Sequence, residues 1–355
     1  MKVLVIGGAG YVGSDLTEEL VQRGYAVKVF DRMYYGDTGL KNIKDRIEMC
    51  VGDMRQIDAS LLEGIDAVIN VGGLSNDPTA EYNPRANFEI NTKATTTSAM
   101  LCRQYGIKRY VFASTCSIYD IGVESFERDI IFDEEAEVNP MAAYSKSKFE
   151  AERSLLKMVD KNFSPVILRK GTIYGFSPRM RYDLVVNTFL KDILSRGQMT
   201  AFFGGEMWRP LVNVRDAARA YISCLEAKDE KVKGEIFNLV YSNFRISEVA
   251  LRVREALRSI SIPAEINMNY EYSGVRSYRV SGKKLEKVLG FKPMISIEDS
   301  VKDMVKKIRE YDYLDFDNPK YYNIKWMKLL EDAHQIISVT GSVFEAPYQK
   351  LRKVG

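Results

Sequence analysis

Three short stretches of this chain hold the residue types needed to move a proton and seat a phosphate. Tyr144 and Lys148 stand four apart in PMAAYSKSKFEAE, residues 140–152. On a helix that spacing puts both side chains on one face. A phenol titrates near pH 10 in water and is a poor base at neutral pH. A neighbouring ammonium stabilises the phenolate and lowers that value, giving a base for a sugar or alcohol hydroxyl. Alone, the pair is an ordinary helix surface; its company makes it chemical. RYVFASTCSIYD, residues 109–120, reads as a buried strand running into the hydroxyls Ser114, Thr115 and Ser117. Thr115 first, and Ser117 second, could hydrogen-bond a reacting oxygen and share its proton with Tyr144. MKVLVIGGAGYVG supplies Gly7, Gly10 and Gly13 directly after an apolar run. Gly7 permits a tight turn, a small residue at Gly10 lets backbone approach a pyrophosphate, and Gly13 lets helix pack on strand. The amides at the helix start, from Tyr11 and Val12 onward, then face the anion.

Asp31 ends the strand Tyr25–Phe30, about 20 positions past the glycines, where an acid accepts hydrogen bonds from the adenosine ribose. It would repel a 2′-phosphate, which favours NAD over NADP. Arg32 beside it is the residue type that would hold that phosphate.

These groups need a frame that brings strand ends together. Strands are expected at 2–6, 25–30, 65–71, 109–114 and 164–169, and helices after Gly13, over about 86–105 and over 143–160. The alternation implies an α/β fold, a Rossmann-like doubly wound parallel sheet with its crevice at the strands' carboxyl ends. Residues 209–227 return to a short strand and helix, and 235–240 to another strand. A dinucleotide-binding domain is thus expected over 1–175, with 209–242 rejoining it. A smaller mixed α/β substrate-binding region fills the rest of 176–330, and 331–355 form a tail without an assigned role.

The 355 residues are 46% hydrophobic, enough for a sizeable core, and carry a net charge of +3 with acids and bases interspersed. No basic run marks a nucleic-acid surface. No apolar stretch approaches the roughly 18 residues of a membrane span. The first residues enter a core strand, leaving no room for a signal peptide, and the four cysteines are widely spaced, so a cytoplasmic protein with reduced thiols is expected. His334, the single histidine, lies in the C-terminal tail, which argues against a histidine-based triad or a multi-histidine metal site.

At this point the chain resembles the extended short-chain dehydrogenase/reductases, in particular the NAD-dependent nucleotide-sugar epimerase/dehydratase group. The resemblance runs from Met1 to about residue 310. Its markers are GGAGYVG, Asp31, GDM at 52–54, NVGGLSNDP at 70–78, STCSIY at 114–119, YSKSK at 144–148, IYG at 173–175 and GGEMWRPLVNVRDAA at 204–218. It implies adenine contacts from Asp53 and Met54 and a cofactor-side loop from Val71 through Gly72 and Gly73 to Leu74. It implies Asn91 behind the site and Thr115, Tyr144 and Lys148 as the catalytic set, Lys148 also holding the nicotinamide ribose. Arg209 matches the arginine that binds the substrate diphosphate, which suits a planar, permanently charged fork. Asn187 and Arg276 are further candidates for the same ligand, as are Ser117 and Thr172. Arg181, in YGFSPRMRYD at 174–183, could meet a charged sugar.

The departures carry information. Cys116 and Ser117 stand where 4,6-dehydratases have Asp-Glu, so that elimination is disfavoured; Cys116 reads as a small packing residue. Asn70-Val71-Gly72-Gly73, Asn213 and Thr172 also differ from the usual residues. The reading is an NAD-dependent nucleotide-diphosphate-sugar epimerase acting at C4. Its rivals are a net reductase or dehydrogenase on a keto-sugar nucleotide and a non-catalytic dinucleotide-binding protein. The resemblance also implies a homodimer through the helices at 86–105 and 143–160.

Overall fold

A computed structural model describes residues 1–122, 129–271 and 276–341. Seven parallel strands form the main sheet in the order β10-β6-β5-β4-β1-β2-β3. They are β1 Lys2–Ile6, β2 Ala26–Asp31, β3 Glu48–Val51, β4 Ala67–Asn70, β5 Arg109–Thr115, β6 Ser164–Lys170 and β10 Ile236–Leu239. The order reverses at β1, with Ile6 beside Phe30 of β2 on one flank and Asn70 of β4 on the other. That is the switch point at which doubly wound sheets bind ligands. Val3 and Val5 are buried in one hydrophobic layer, Leu4 and Ile6 in the other, so both faces of β1 are covered, as a parallel strand requires.

Two small sheets stand beside it, β11-β9-β7 and β12-β8. Their strands are β7 Thr172–Tyr174, β8 Gln198–Phe202, β9 Trp208–Asn213, β11 Ser242–Arg245 and β12 Glu265–Asn269. Among the described residues, the helices of ten residues or more are α1 Tyr11–Gln22, α2 Thr95–Gln104, α3 Ala143–Lys157, α4 Val185–Arg196, α5 Val214–Glu226, α6 Ile246–Arg258, α7 Ile297–Glu310 and α8 Asn323–Thr340. None is long and apolar enough to cross a membrane.

The strand expectations hold to within two residues at each end. The helix expected at 86–105 is instead three pieces: Pro84–Phe88, a π-helical turn Glu89–Ala94, and α2. The wider turn carries Asn91, whose side chain donates to the Leu74 carbonyl and accepts from the Leu74 amide, both at 2.9 Å. A regular helix would rotate that amide away from the loop. β3 has no apolar run to announce it, and α8 falls in the part of the sequence without clear periodicity.

Candidate active site

A cavity of about 360 Å³ opens at the carboxyl ends of β1, β4, β5 and β6. One wall is backbone. Gly7 has φ +82°, and a Cβ there would stand 2.5 Å from the Gly72 Cα. At Gly13 a Cβ would stand 2.0 Å from the Gly7 carbonyl oxygen and 2.7 Å from the Gly8 Cα. Gly13 is therefore needed to pack α1 on the glycine turn itself, a correction to the expected helix–strand contact. Gly10 caps α1 with no side-chain hydrogen bond. The first amides of α1 thus meet no capping side chain, and they are the donors a diphosphate takes. The residues present fit a dinucleotide.

Asp31 closes this wall. Its carboxylate accepts from the Ala9 amide at 3.0 Å and the Met33 amide at 2.8 Å, which ties the glycine turn to the end of β2. Burial raises its pKa, against the pull of those two amides. Arg32 is committed to Asp53 at 2.5 Å, and Arg55 reaches the same carboxylate at 2.6 Å. An arginine so engaged is not waiting for a 2′-phosphate, which accords with NAD. Tyr11, Val12, Met54, Val71, Gly72 and Gly73 complete this side.

Thr115, Ser117, Tyr144, Lys148 and Thr172 line the other end of the same cavity. Thr115 ends β5, accepts from the Ser117 amide at 3.1 Å and donates to the Ser117 hydroxyl at 3.0 Å. Burial pushes the Tyr144 phenol up to about 12, while Arg181 and the Thr115 hydroxyl draw it down. Tyr144 and Lys148 stand four apart on α3 and both line the cavity. The Lys148 ammonium donates to the Ala113 carbonyl at 3.0 Å and lies over the Phe112 ring. Burial, then repulsion from Lys170, holds its pKa well below the usual lysine range. Lys170 donates to the next carbonyl of β5, Ser114, at 3.0 Å, and burial brings it down to about 8. A buried ammonium and a half-buried one thus share the reacting end.

Behind β5 a buried ion pair fixes the strand end. Arg169 meets Glu152 of α3 at 2.6 Å and donates to the Tyr119 hydroxyl at 2.7 Å, and Ser114 donates to Glu152. The Cys116 thiol donates to the Arg169 carbonyl, and burial raises its pKa. It is a packed thiol and not a nucleophile.

The candidates for the substrate divide. Arg181 and Arg276 line the cavity; Asn187 and Arg209 do not. Arg181 pairs with Asp183 at 2.8 Å, yet its Nη2 is buried without a partner among the described residues. Arg276 is held by Asp77 and Asp120. Asn187 is fully buried: it accepts from the Gly175 amide and donates to the Tyr11 hydroxyl and the Arg181 carbonyl. It is a pin between α4 and the glycine helix. The Arg209 guanidinium donates to the Trp208 and Arg276 carbonyls, so it supports Arg276 from behind.

Several cavity residues escape a reading of the sequence. Lys170 looks there like the frayed end of a strand, although a lysine two residues before Thr172 is a usable signal. Arg179 looks only like a surface or substrate arginine. It lies with its guanidinium 3.5 Å from the Tyr35 ring centre, burial lowers it to about 10, and its Nε is buried without a partner among the described residues. Tyr35, Asn323 and Met327 carry no motif at all. Among the described residues no group of His, Cys, Asp and Glu could hold a metal.

Residues 3–239 match the model of the NAD dependent epimerase/dehydratase family. UDP-N-acetyl-alpha-D-glucosaminuronate decarboxylase of Bacillus cytotoxicus is 27% identical over 326 residues, 87% of this chain and 98% of that protein. UDP-glucose 4-epimerase of Lactobacillus helveticus is 28% identical over 326 residues, 85% of this chain and 94% of that one. The solved structure of the Thermus thermophilus UDP-glucose 4-epimerase complex with NAD aligns at a TM-score of 0.73 and 25% identity, covering 87% of this chain and 99% of its own.

Proposed function

This chain belongs to the NAD-dependent epimerase/dehydratase family, and on that premise we propose that it epimerises a nucleotide-diphosphate sugar at C4. The observation that carries the reading is the shared cavity in which the glycine turn and Asp31 face Thr115, Tyr144 and Lys148. The packed Cys116 and the Thr115-bonded Ser117 stand where a dehydratase would need two carboxyl groups.

Gly7, the start of α1 and Asp31 would hold NAD, which supplies reversible hydride acceptance when bound. Tyr144 takes the proton of the C4 hydroxyl and returns it after inversion. Thr115 exchanges its bond to Ser117 for one to the same sugar oxygen and keeps that oxygen in line with Tyr144. Lys148 holds the nicotinamide ribose. Arg276, backed by Arg209, anchors the substrate diphosphate while the sugar turns to present its other face. That anchor is remote from the reacting ring, so binding persists while the ring lets go. A homodimer belongs to the same proposal, and sedimentation tests it.

Purified protein loaded with NAD should interconvert UDP-glucose or UDP-glucuronate with their C4 epimers without added NADH and with no net change at the nicotinamide band. A requirement for stoichiometric NADH overturns the epimerase in favour of a net reductase. Tyr144→Phe should cost roughly 100- to 10,000-fold in kcat while NAD stays bound. Unchanged turnover removes Tyr144 from the mechanism. A second reading, oxidative decarboxylation of a uronic acid, is favoured by the Lys170 ammonium at the reacting end; release of CO2 from UDP-glucuronate would identify it.

A further inference from the structure

The last helix is tied into the cavity by a set of bonds that no motif announces. Asn323, at the start of α8, is 6% exposed. Its Oδ1 accepts from Arg179 at 2.7 Å and from the Tyr35 hydroxyl at 3.1 Å. Its Nδ2 donates to the Ser75 hydroxyl at 2.8 Å, and its backbone amide donates to Asp183 at 3.0 Å. One residue therefore joins the loop after β2, the loop after β4 and the arginine segment 179–183. Each of these contributes to the cavity, and Asn323 lines it as well. One turn further on, the Trp326 indole donates to the Tyr34 carbonyl at 2.6 Å, three residues past Asp31. Met327 stands in the cavity wall, and Lys328 lies over the Tyr82 ring.

The chain leading into α8 is equally anchored. Tyr313 donates to the Pro178 carbonyl at 2.5 Å, and Tyr182 donates to the Tyr313 carbonyl at 2.7 Å. The Tyr182 ring meets Phe316 and Tyr321 edge-on, at 5.3 and 5.1 Å. The far end of α8, in contrast, exposes Leu329, Ile336, Ile337 and Val339. The helix is fastened where it crosses the cleft. It also lies beyond the residues matched by the family model, which end at 239.

We propose that α8 completes the dinucleotide site: Asn323 fixes Arg179 and the two flanking loops, Met327 walls the cavity, and together they close the cleft over NAD and retain it between turnovers. Arg179 supplies the ligand chemistry. Among the described residues its buried guanidinium forms no recorded ion pair, Asp31 and Asp183 acting on it through space, and it has one N–H without an acceptor, which is the state of a group set to meet a diphosphate. Asn323 acts through Arg179 and the loops, so it is a positioning residue. The proposal rests on the NAD site and not on the C4 assignment. It does bear on that assignment, because a cofactor regenerated within each turnover has no need to leave.

The test is the rate at which NAD leaves the loaded full-length protein, read after dilution into buffer with a trap for free NAD and no sugar nucleotide. Asn323→Ala should release NAD roughly tenfold faster, about 1.4 kcal/mol, and raise the KM for NAD more than it lowers kcat. Trp326→Phe keeps the ring and loses one hydrogen bond; it should show the same change at smaller size, and it serves if Asn323→Ala fails to fold. Ile337→Ser, at the exposed end, should leave release at the wild-type rate. Wild-type release rates in folded Asn323→Ala or Trp326→Phe protein would overturn the proposal whatever reaction the enzyme performs. Loss of epimerase activity with slow NAD release would count against the C4 reading alone.

Discussion

The two walls of the cavity are made of different material. The wall facing β1 and β2 is backbone: glycines at φ values or approach distances that exclude a Cβ, and the amides that start α1. The other wall is side chain: Arg179, Arg181 and Arg276, long and charged, held by Asn323, Asp183, Asp77 and Asp120. Backbone donors are fixed once the chain folds, and their hydrogen-bonding direction does not change with pH. Guanidinium groups must be propped, and here two of their N–H groups are buried without acceptors among the described residues. An unmet donor costs about 1–3 kcal/mol when buried, so this wall is stabilised by an anion in a way the backbone wall is not. One wall defines where a diphosphate lies; the other makes its arrival favourable.

Breaking the backbone wall should have the largest effect. In Gly13→Ala the new methyl meets the Gly7 carbonyl oxygen and the Gly8 Cα, neither of which can rotate aside. The start of α1 must move away from the turn. NAD affinity should fall at least about 100-fold, about 2.7 kcal/mol, with a loss of stability of about 1–3 kcal/mol from overpacking. Titration of NAD by tryptophan fluorescence measures the first and thermal melting the second. Affinity within threefold of wild type would show that this wall is softer than its geometry.

Arg179→Met attacks the other wall and should separate affinity from stability. This guanidinium forms no recorded ion pair among the described residues; Asp183 keeps Arg181, Asp31 keeps the Ala9 and Met33 amides, and the Asn323 oxygen keeps the Tyr35 hydroxyl. The methionine can still pack on the Tyr35 ring. NAD should bind about tenfold more weakly, about 1.4 kcal/mol. Stability should change by less than about 1 kcal/mol, some 2–4 °C in the melting temperature of a large chain. If stability and affinity fell together, Arg179 would be a structural prop, and the contrast between the walls would fail.

The backbone wall is legible in the sequence and the side-chain wall is not, for the same physical reason. Glycine spacing, an apolar run and an acid at a strand end act over a few residues, so GGAGYVG and Asp31 carry their geometry with them. Tyr144 and Lys148 share a helix and are found together. What each one faces is set by the fold, which turns Lys148 to the Ala113 carbonyl and brings Arg181 near enough to draw the Tyr144 phenol down. Asn187 has the right chemistry for a diphosphate yet spends it on internal bonds, and Arg209 commits one guanidinium nitrogen to carbonyls, because residue type does not encode direction. The contacts of α8 join residues nearly 300 positions apart, Asn323 to Tyr35 and Trp326 to Tyr34. No local pattern reports a bond of that span. The π-helical turn at Glu89–Ala94 escapes the sequence because its cause is the Asn91–Leu74 pair, again remote along the chain.

The smallest effect tests whether the side-chain wall is tunable by pH while the backbone wall is not. Burial holds Lys170 near pH 8 in the folded chain, against about 10.5 for a lysine in water. Between those values the unfolded chain binds a proton that the folded chain does not, so this group makes stability rise with pH over that window. Below pH 8 both states are charged and the full cost of the partly desolvated ammonium is present. Lys170→Met should therefore melt higher than wild type below pH 8, with the gap closing toward pH 10.5. The same titration removes a positive charge from the reacting end of the cavity. Wild-type affinity for a nucleotide-diphosphate sugar should fall a few-fold from pH 7 to pH 9, on the order of 0.7 kcal/mol, and Lys170→Met should flatten that part of the profile. NAD affinity, set by the glycine turn and Arg179, should vary less than the wild-type sugar-nucleotide affinity over the same range. A sugar-nucleotide profile equally steep in wild type and Lys170→Met would assign the titration to another group and leave Lys170 as a packed lysine held by the Ser114 carbonyl.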